Sequence, residues 1–241
     1  MQLESTNGGI ADVGASTTAQ LDARWTPSVH SGWLYQSAKR AVDLLVASVL
    51  LTLALPAMVV VALVVRLTSP GPSLFLQVRI GERGTPFTMF KFRTMHRDND
   101  DADHRAYVAA MFSGGLVHDG GEQGLFKLAN DPRITPIGRL LRKASLDELP
   151  QLFNVLLGDM SLVGPRPALP WEAVLFENDL RVRFTVKPGI TGLWQVSGRN
   201  ALTMPEGLKL DAEYVARRSL PLDLAILLRT IPAILRFGRA R

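Results

Sequence analysis

An uncharged hydrophobic run at residues 44–65 constrains this chain more than any other feature. Nineteen of its 22 residues are Ala, Val, Leu or Met, and the exceptions are Ser48, Thr52 and Pro56. A straight helix of this length would measure about 33 Å, whereas the hydrocarbon core of a bilayer is about 30 Å thick. The length therefore permits a helix that crosses a membrane.

Two features of this run favour a re-entrant helix over a simple span. Pro56 lies near the middle, where it removes a backbone hydrogen bond and clashes with the preceding turn, so a sharp kink is expected. Basic residues also flank both ends, with Lys39 and Arg40 before the run and Arg66 after it. Because basic flanks tend to stay in the cytoplasm, a helix that enters, bends at Pro56 and returns satisfies both ends. A kinked full span and a buried helix of a soluble core are the alternatives.

The residues before the run have two different characters. Residues 1–36 are rich in Ser, Thr, Gly and Ala and lack the basic start and apolar stretch of a signal peptide, so we expect a disordered tail. Arg40 and Asp43 are three residues apart and can pair on one helical face. The alternative for this basic cluster, which includes Lys39, is contact with lipid phosphate.

The charge balance narrows the classes of partner. The chain has 27 Lys and Arg against 22 Asp and Glu, and the part after the first 38 residues carries a net charge of +7. A basic body suits nucleic acid, anionic lipid or phosphorylated substrates. Aromatic residues make up only 7%, and no nucleic-acid-binding motif is present, so nucleic acid is not expected. The absence of cysteine excludes disulfides and thiolate metal sites.

The remaining pattern predicts an α+β body that is mostly helical, with a small hairpin resting on the membrane face. Short strands are expected at 74–78 and 87–92, joined by a turn at 81–84, and a further turn at 188–189. Residues 114–124 have five glycines and are typical of a flexible loop. Helical spacing is found at residues 107–112, 137–143, 147–157, 172–182, 208–218 and 220–237. The last of these is interpreted either as an amphipathic helix on the bilayer or as a helix packed on the core.

An acidic pair, Asp147 and Glu148, lies between basic residues that include Arg142 and Arg166. Acids so close to several cations indicate a site that handles phosphate and a metal ion. A structural alternative exists, because Ser145 followed by Glu148 has the spacing of a capping box at a helix start. Asp147 at the same helix start would be favoured by the helix dipole.

Several short blocks, in this order, resemble the monotopic phosphoglycosyl transferases, a family of bacterial sugar transferases that begin exopolysaccharide, O-antigen and glycoprotein glycan assembly. The resemblance covers about residues 37–237. One departure is Leu55-Pro56, where small members of the family often have Ser-Pro. The blocks are KRAVD at 39–43, SPGP at 69–72, KFRTM at 91–95, NDPRIT at 130–135, SLDELPQL at 145–152, GDMSLVGPRP at 158–167 and KPGITG at 187–192.

The resemblance implies an enzyme that transfers a sugar-1-phosphate from a UDP-sugar to polyprenyl (undecaprenyl) phosphate and releases UMP. It also implies Mg²⁺, a re-entrant helix in the bacterial inner membrane, contacts with its lipids and a catalytic domain on the cytoplasmic face. The expected division is a tail at 1–36, a membrane helix at 37–68 and a catalytic domain at 69–241. A non-catalytic membrane adaptor that binds anionic lipid is the alternative. The transferred sugar, the polyprenol and the formation of a homodimer are left open.

The resemblance also assigns roles to the acidic pair. It implies that Asp147 is the nucleophile that attacks the β-phosphorus, and that Glu148 helps to hold the metal ion or to position the acceptor. Both are candidate metal ligands, since Mg²⁺ prefers carboxylate and phosphate oxygens. Arg166 is the first-ranked phosphate contact because two prolines hold its backbone extended. The further candidates are Lys91, Arg93 and Arg142 for phosphate, Gln195 and Arg199 for nucleotide or sugar, and Lys39, Arg40, Asp43 and Pro56 for the membrane.

Overall fold

The computed structural model describes residues 32–96, 133–176, 178–198 and 202–237. The predicted tail, apart from its last residues, the helix at 107–112, the glycine-rich loop at 114–124 and Arg199 lie outside these residues. The elements in chain order are α1 (Trp33–Thr68), β1 (Leu74–Ile80), β2 (Pro86–Phe92), α2 (Pro136–Lys143), α3 (Gln151–Leu157), β3 (Ser161–Val163), α4 (Pro170–Leu175), β4 (Gly189–Thr191), α5 (Leu193–Ser197), α6 (Met204–Arg217) and α7 (Leu220–Phe237).

Helix α1 is continuous over 36 residues and includes Pro56. It begins at Trp33, four residues before the predicted boundary. Its buried residues are Asp43, Ala47, Met58 and Val65. Their separations of 4, 11 and 7 residues are close to one, three and two helical turns, so they lie on one face. The helix therefore packs on the rest of the protein along a narrow stripe that extends over most of its length.

The rest of the surface of α1 is apolar and exposed. Leu45, Leu53 and Leu67 have 68%, 73% and 83% of their surface accessible. The helix is long and apolar enough to cross a membrane, and only 11% of its most apolar 18-residue stretch is buried inside the protein. A core helix of a soluble protein would be mostly buried, so that alternative does not fit.

The N-terminal end of α1 is attached to the globular body by charged side chains. The ammonium group of Lys39 lies 2.9 Å from the carboxylate of Asp223 on α7. Arg40 donates to the carbonyl of Val155 at 2.7 Å and Asp43 accepts from the backbone N–H of Leu162 at 3.1 Å. Arg40 and Asp43 therefore bind separate elements of the body. The prediction that they pair with each other is wrong, because none of their described bonds joins them.

The C-terminal end of α1 is attached to the same body. Val65 is fully buried in a cluster with Phe92 of β2 and Leu141 of α2. Just after the helix, Ser69 and Pro70 offer backbone carbonyls to the guanidinium of a buried arginine, Arg93, at 2.8 Å each. Both ends of the long apolar helix thus contact one globular unit.

The predicted hairpin is confirmed. Strands β1 and β2 pair antiparallel from Leu74 opposite Phe92 to Ile80 opposite Pro86, with a 3₁₀ turn at Glu82–Gly84 between them. The start of β1 is exposed and apolar, with Phe75 46% accessible. This end has the side chains that a hairpin resting on a membrane would need.

Other sequence predictions required correction. The residues predicted as a turn at 188–189 lead into β4, which pairs parallel with β3. The helix predicted at 172–182 divides into α4 and a 3₁₀ segment, Asn178–Thr185. The helix at 208–218 begins earlier, at Met204, where Thr203 caps it.

The interior is a mixed α+β core that is mostly helical, as predicted. Its largest cluster joins α1, α3, β3, α6 and α7 through residues such as Ala47, Val155, Leu162, Tyr214 and Ile226. The face of helix α7 that is turned away from this core is exposed and apolar. That face consists of Leu220, Leu224, Leu228 and Ile231, at spacings of about one turn.

Candidate active site

The acidic pair lies in a 3₁₀ turn, Leu146–Glu148, and not in the first turn of an α-helix. Ser145 adopts a left-handed conformation with φ 55°, and among the described residues its side chain makes no capping bond. Helix α3 starts only after Pro150, at Gln151. The predicted capping box is therefore wrong, and the carboxylate of Glu148 is directed to another partner.

That partner is Lys91 of β2. Its ammonium group lies 3.5 Å from the carboxylate of Glu148, and both side chains are mostly buried. Burial lowers the pKa of Lys91, and the negative charge of Glu148 opposes this shift. Asp147 was predicted from the sequence together with these two residues. It is 9% exposed, and its negative charge also opposes the lowering of the pKa of Lys91.

Asp147 has a raised pKa. Burial is the main cause and the charge of Glu148 adds to it, whereas Lys91 and Arg142 lower the pKa. Arg142 extends from α2 and donates to the hydroxyl of Thr94 at 2.9 Å. The fold therefore brings together four residues that the sequence nominated, namely Lys91, Arg142, Asp147 and Glu148.

Arg93 occupies a different position from the other candidates. Its described hydrogen bonds go to the carbonyls of Ser69 and Pro70 and to the hydroxyl of Ser69. These bonds fix the chain where it leaves α1. Phosphate binding by Arg93 stays a prediction, and the contacts described for it are structural.

A cavity of about 290 Å³ lies beside the acidic pair. Charged side chains line part of its wall, namely Arg79, Lys91, Glu148 and Arg166. Apolar side chains from two helices line another part, namely Leu50 and Ala54 of α1 and Leu227, Ala233 and Ile234 of α7. The lining, as the described residues define it, contains Glu148 but not Asp147.

Gln195 also lines this cavity, from α5. Its side-chain oxygen is buried and has no hydrogen-bond partner within the described part of the chain. A buried acceptor without a partner has a desolvation cost that a ligand hydroxyl or N–H could offset. This is a chemical reason to retain Gln195 as a candidate sugar or nucleotide contact.

Arg79 was missed by the sequence reasoning. It is 5% exposed, lines the cavity, and donates to the side chain of Gln77 and to the carbonyl of Pro167. Burial lowers its pKa to about 10, and Glu172, 3.9 Å away, opposes the shift. The available signal was the alternation of β1, which places Gln77 and Arg79 on one face of a strand.

The acidic pair also suits a divalent cation. Among the described residues there is no group of three or more His, Cys, Asp or Glu side chains that could enclose a metal ion. Mg²⁺ does not require such a cage, because it commonly binds one or two carboxylates together with substrate phosphates and water. Asp147 and Glu148, whose mutual repulsion contributes to the raised pKa of Asp147, fit that donor set.

A cavity lined by three cations, one acid and part of a long apolar helix has the charges and the apolar surface that an anionic ligand with an apolar part would need. The family model described as "Bacterial sugar transferase" matches residues 34–237. The chain therefore belongs to the bacterial sugar transferase family, and it is a transferase.

Three relatives show the range of the family. "Exopolysaccharide production protein ExoY" of Rhizobium meliloti is 40% identical over 199 residues, which cover 82% of this chain and 85% of that protein. "UDP-glucose:undecaprenyl-phosphate glucose-1-phosphate transferase" of Caulobacter vibrioides is 40% identical over 82% of this chain and 69% of its own length. "Undecaprenyl-phosphate galactose phosphotransferase" of Salmonella typhimurium is also 40% identical over 82% of this chain. The aligned part is only 40% of that last protein.

Proposed function

We propose that this protein transfers a sugar-1-phosphate from a UDP-sugar to polyprenyl phosphate, releases UMP, and so starts the assembly of an exopolysaccharide or related glycan. The names of the Caulobacter and Salmonella relatives supply the donor and acceptor classes. The observation that carries the proposal is the cavity, whose wall combines the cations Arg79, Lys91 and Arg166 with apolar side chains of α1 and α7.

This combination matches the acceptor. A polyprenyl phosphate has one anionic group on a long hydrocarbon chain, so its site needs both cations and apolar contact. Lys91 and Arg166 supply positive charge, while Leu50 and Ala54 belong to the helix that has the largest exposed apolar surface. A phosphate at the cavity could therefore remain attached to a chain that extends into lipid beside α1.

Asp147 is the proposed nucleophile. One carboxylate oxygen attacks the β-phosphorus of the UDP-sugar, the bond from that phosphorus to the bridging oxygen of UMP breaks, and UMP leaves with the electron pair. The phosphate oxygen of the polyprenyl acceptor then attacks the same phosphorus, which breaks the bond to Asp147 and yields a polyprenyl diphosphosugar. Covalent catalysis of this kind divides one difficult transfer into two easier steps.

The reaction brings the carboxylate of Asp147 towards the phosphates of the donor, which are also anionic. The surrounding positive charges reduce the repulsion between them. Two unit charges 4 Å apart interact by about 4 kcal/mol at an effective dielectric near 20. Lys91 and Arg142 lower the pKa of Asp147 and so oppose the effect of burial. Bound Mg²⁺, held by Asp147 and Glu148, would supply further charge stabilisation to the phosphates.

The covalent step can be tested by supplying the donor without the acceptor. Purified protein in nanodiscs with Mg²⁺ and a UDP-sugar should release about one equivalent of UMP and gain the mass of one sugar-phosphate on the peptide that contains Asp147. Asp147→Asn should give neither signal. A wild-type protein that turns over once polyprenyl phosphate is added, but that without it releases no UMP and gains no mass, would contradict the covalent route.

The adaptor alternative predicts a different pattern. A non-catalytic adaptor would bind anionic liposomes, release no UMP with any UDP-sugar, and be indifferent to Asp147→Asn. A UMP-release assay across a panel of UDP-sugars, with and without polyprenyl phosphate, separates the two functions and also identifies the sugar.

The same proposal includes a re-entrant topology in the inner membrane, with the body in the cytoplasm. Both ends of α1 contact one globular unit, through Lys39 and Asp43 at one end and Val65 at the other. A helix that spanned the bilayer would place these two ends on opposite sides of it, so one set of contacts would be lost. Because the chain has no cysteine, Ser37→Cys and Pro72→Cys can be labelled one at a time in spheroplasts and in inverted vesicles. Labelling of both from the cytoplasmic side only is expected, and labelling from opposite sides would exclude this topology.

A further inference from the structure

The segment that carries Arg166 is held by its backbone carbonyls. Proline lacks an N–H group, so at positions 165 and 167 the carbonyl is the backbone group that can be anchored. Each carbonyl from residue 165 to residue 168 accepts a hydrogen bond. The donors are the N–H of Gly189 to Pro165 at 2.9 Å, Arg183 to Arg166, Arg79 to Pro167 at 3.0 Å and the N–H of Ile80 to Ala168 at 2.9 Å.

The bond to Arg166 comes from a buried ion pair. Arg183 is 3% exposed and its guanidinium lies 2.7 Å from the carboxylate of Asp211, which is fully buried. The guanidinium also stacks over the rings of Phe176 and Phe184, at 5.0 and 5.9 Å from their centres. Neither member of the pair belongs to the cavity wall as the described residues define it.

Such a pair needs a reason to be retained. Desolvation of two charges can cost more than their attraction returns, so a buried ion pair is weak evidence for stability. Here burial lowers the pKa of Arg183, with Asp211 opposing the shift. Burial likewise raises the pKa of Asp211 to about 6, while Arg183 and the backbone N–H and charge of Arg166 lower it. The pair is therefore coupled to both the backbone and the side chain of Arg166.

We infer that Arg183 and Asp211 are positioning residues for Arg166, fixing its backbone so that its exposed guanidinium is held at the cavity where the phosphoryl group is transferred. This rests on the proposed function, which gives Arg166 its phosphate. The physical reason is geometric. A long exposed side chain is placed by its backbone, and a misplacement of about 1 Å at a catalytic group can cost on the order of 100-fold in rate.

The test compares single variants with a double-mutant cycle. Arg166→Ala should lower kcat/KM for UMP release by about 100- to 1000-fold, because a preorganised charge on the phosphoryl group is lost. Asp211→Asn keeps the size of the side chain and should lower it by about 10- to 100-fold, mostly in kcat, as is typical of residues that orient a ligand-binding group. In the Arg166→Ala background, Asp211→Asn should add less than about 3-fold, because the group it orients is gone.

A control and a fold-independent variant complete the design. Glu213→Gln removes an exposed partner of Arg217 on the same helix, α6, and should leave turnover unchanged. The double variant Arg183→Met with Asp211→Leu removes both charges at similar volume, so the protein should still fold, as judged by its Tm, while turnover falls.

Four outcomes decide the matter. Non-additive losses at positions 166 and 211 support the inference. Additive losses, or a folded apolar double variant with normal turnover, overturn it and leave the proposed function intact. Normal turnover in Arg166→Ala removes the phosphate contact from the proposed function and overturns the inference with it.

Discussion

Two buried acids of this protein, Asp223 and Asp147, have different surroundings. At the junction of α1 and α7, the carboxylate of Asp223 accepts three hydrogen bonds. The donors are the ammonium group of Lys39 at 2.9 Å and the hydroxyls of Tyr35 and Tyr214 at 3.1 and 2.7 Å. In the candidate active site, the pKa of Asp147 is raised by burial and by the charge of Glu148, its neighbour in the chain.

The difference separates structural from catalytic use of the same chemical group. A carboxylate that accepts from three donors on neighbouring helices holds those helices together, as Asp223 does for α1, α6 and α7. A desolvated carboxylate beside a like charge is poised for a cation, a proton or a phosphorus atom. The site acid should therefore matter to turnover and not to folding, and the junction acid should show the reverse.

The largest expected effect is that of Asp147→Asn. Loss of the nucleophile should reduce UMP release by about 10⁴-fold or more, as is found when a nucleophile is removed from other enzymes. The free energy of unfolding should not decrease, because a buried carboxylate with a raised pKa is itself unfavourable when charged. Turnover assays and thermal unfolding in the same detergent measure both quantities. Retained turnover would exclude Asp147 as the nucleophile.

Asp223→Asn should give the converse result. It leaves the mostly buried ammonium of Lys39 without its counter-charge and weakens two tyrosine hydrogen bonds, so we expect a loss of about 2–4 kcal/mol in the free energy of unfolding. At a temperature where the variant stays folded, kcat should change by less than about 3-fold. Normal stability in this variant would remove the basis of the comparison.

The two lysines sharpen the comparison further. Lys91→Met should lower turnover by about 10- to 100-fold, because it removes a cation from the cavity and raises the pKa of Asp147 further. Lys39→Met should instead reduce the free energy of unfolding by about 1–3 kcal/mol, with little effect on turnover. A kinetic defect in Lys39→Met comparable to that of Lys91→Met would show that the junction contributes to catalysis.

A smaller effect concerns the pH dependence of stability. The pKa of Asp211 is about 6 in the folded protein, against 3.8 ordinarily, so between pH 4 and 6 the folded state binds more protons than the unfolded state. The free energy of unfolding should therefore fall as pH rises through this window, by up to about 1.4 kcal/mol per pH unit for this group. Denaturant titrations at pH 4, 5 and 6 give the free energy of unfolding at each pH. This free energy should fall less steeply with pH in Asp211→Asn than in the wild type. Identical slopes would contradict the raised pKa of this group.

The smallest change is expected from Glu213→Gln. Its ion pair with Arg217 is exposed, so the free energy of unfolding should change by less than about 0.5 kcal/mol. This variant provides the baseline against which the buried acids are compared.

Much of the fold could be predicted from local pattern. The hairpin followed from two apolar runs around a glycine-containing turn, and the end of α3 followed from Gly158, which takes φ 96° there. The start of α3 could not be read in the same way. Apolar spacing continued back to residue 147, but Pro150 and a left-handed Ser145 made the acidic pair part of a 3₁₀ turn.

Long-range pairing was the other limit. The sequence suggested that Arg40 and Asp43 would pair with each other or face lipid, because they are neighbours on a helix. Their described bonds go to α3 and β3, more than 100 residues away in the chain. Arg183 and Asp211 were not singled out at all, because they are 28 residues apart and only the packing of α6 brings them together.

The sequence by itself determined the apolar helix, the basic body, the mostly helical α+β class, the blocks that nominate Asp147, Glu148, Lys91 and Arg166, and the nearby cation Arg142. These are properties of composition, local spacing and short motifs, which survive in an unfolded chain. Only the tertiary structure decided that Asp223 accepts from three donors while the pKa of Asp147 is raised, that both ends of α1 contact one body, and that a buried ion pair binds the backbone of Arg166. These depend on distances between residues far apart in the chain and on the removal of water around them, which only packing can set.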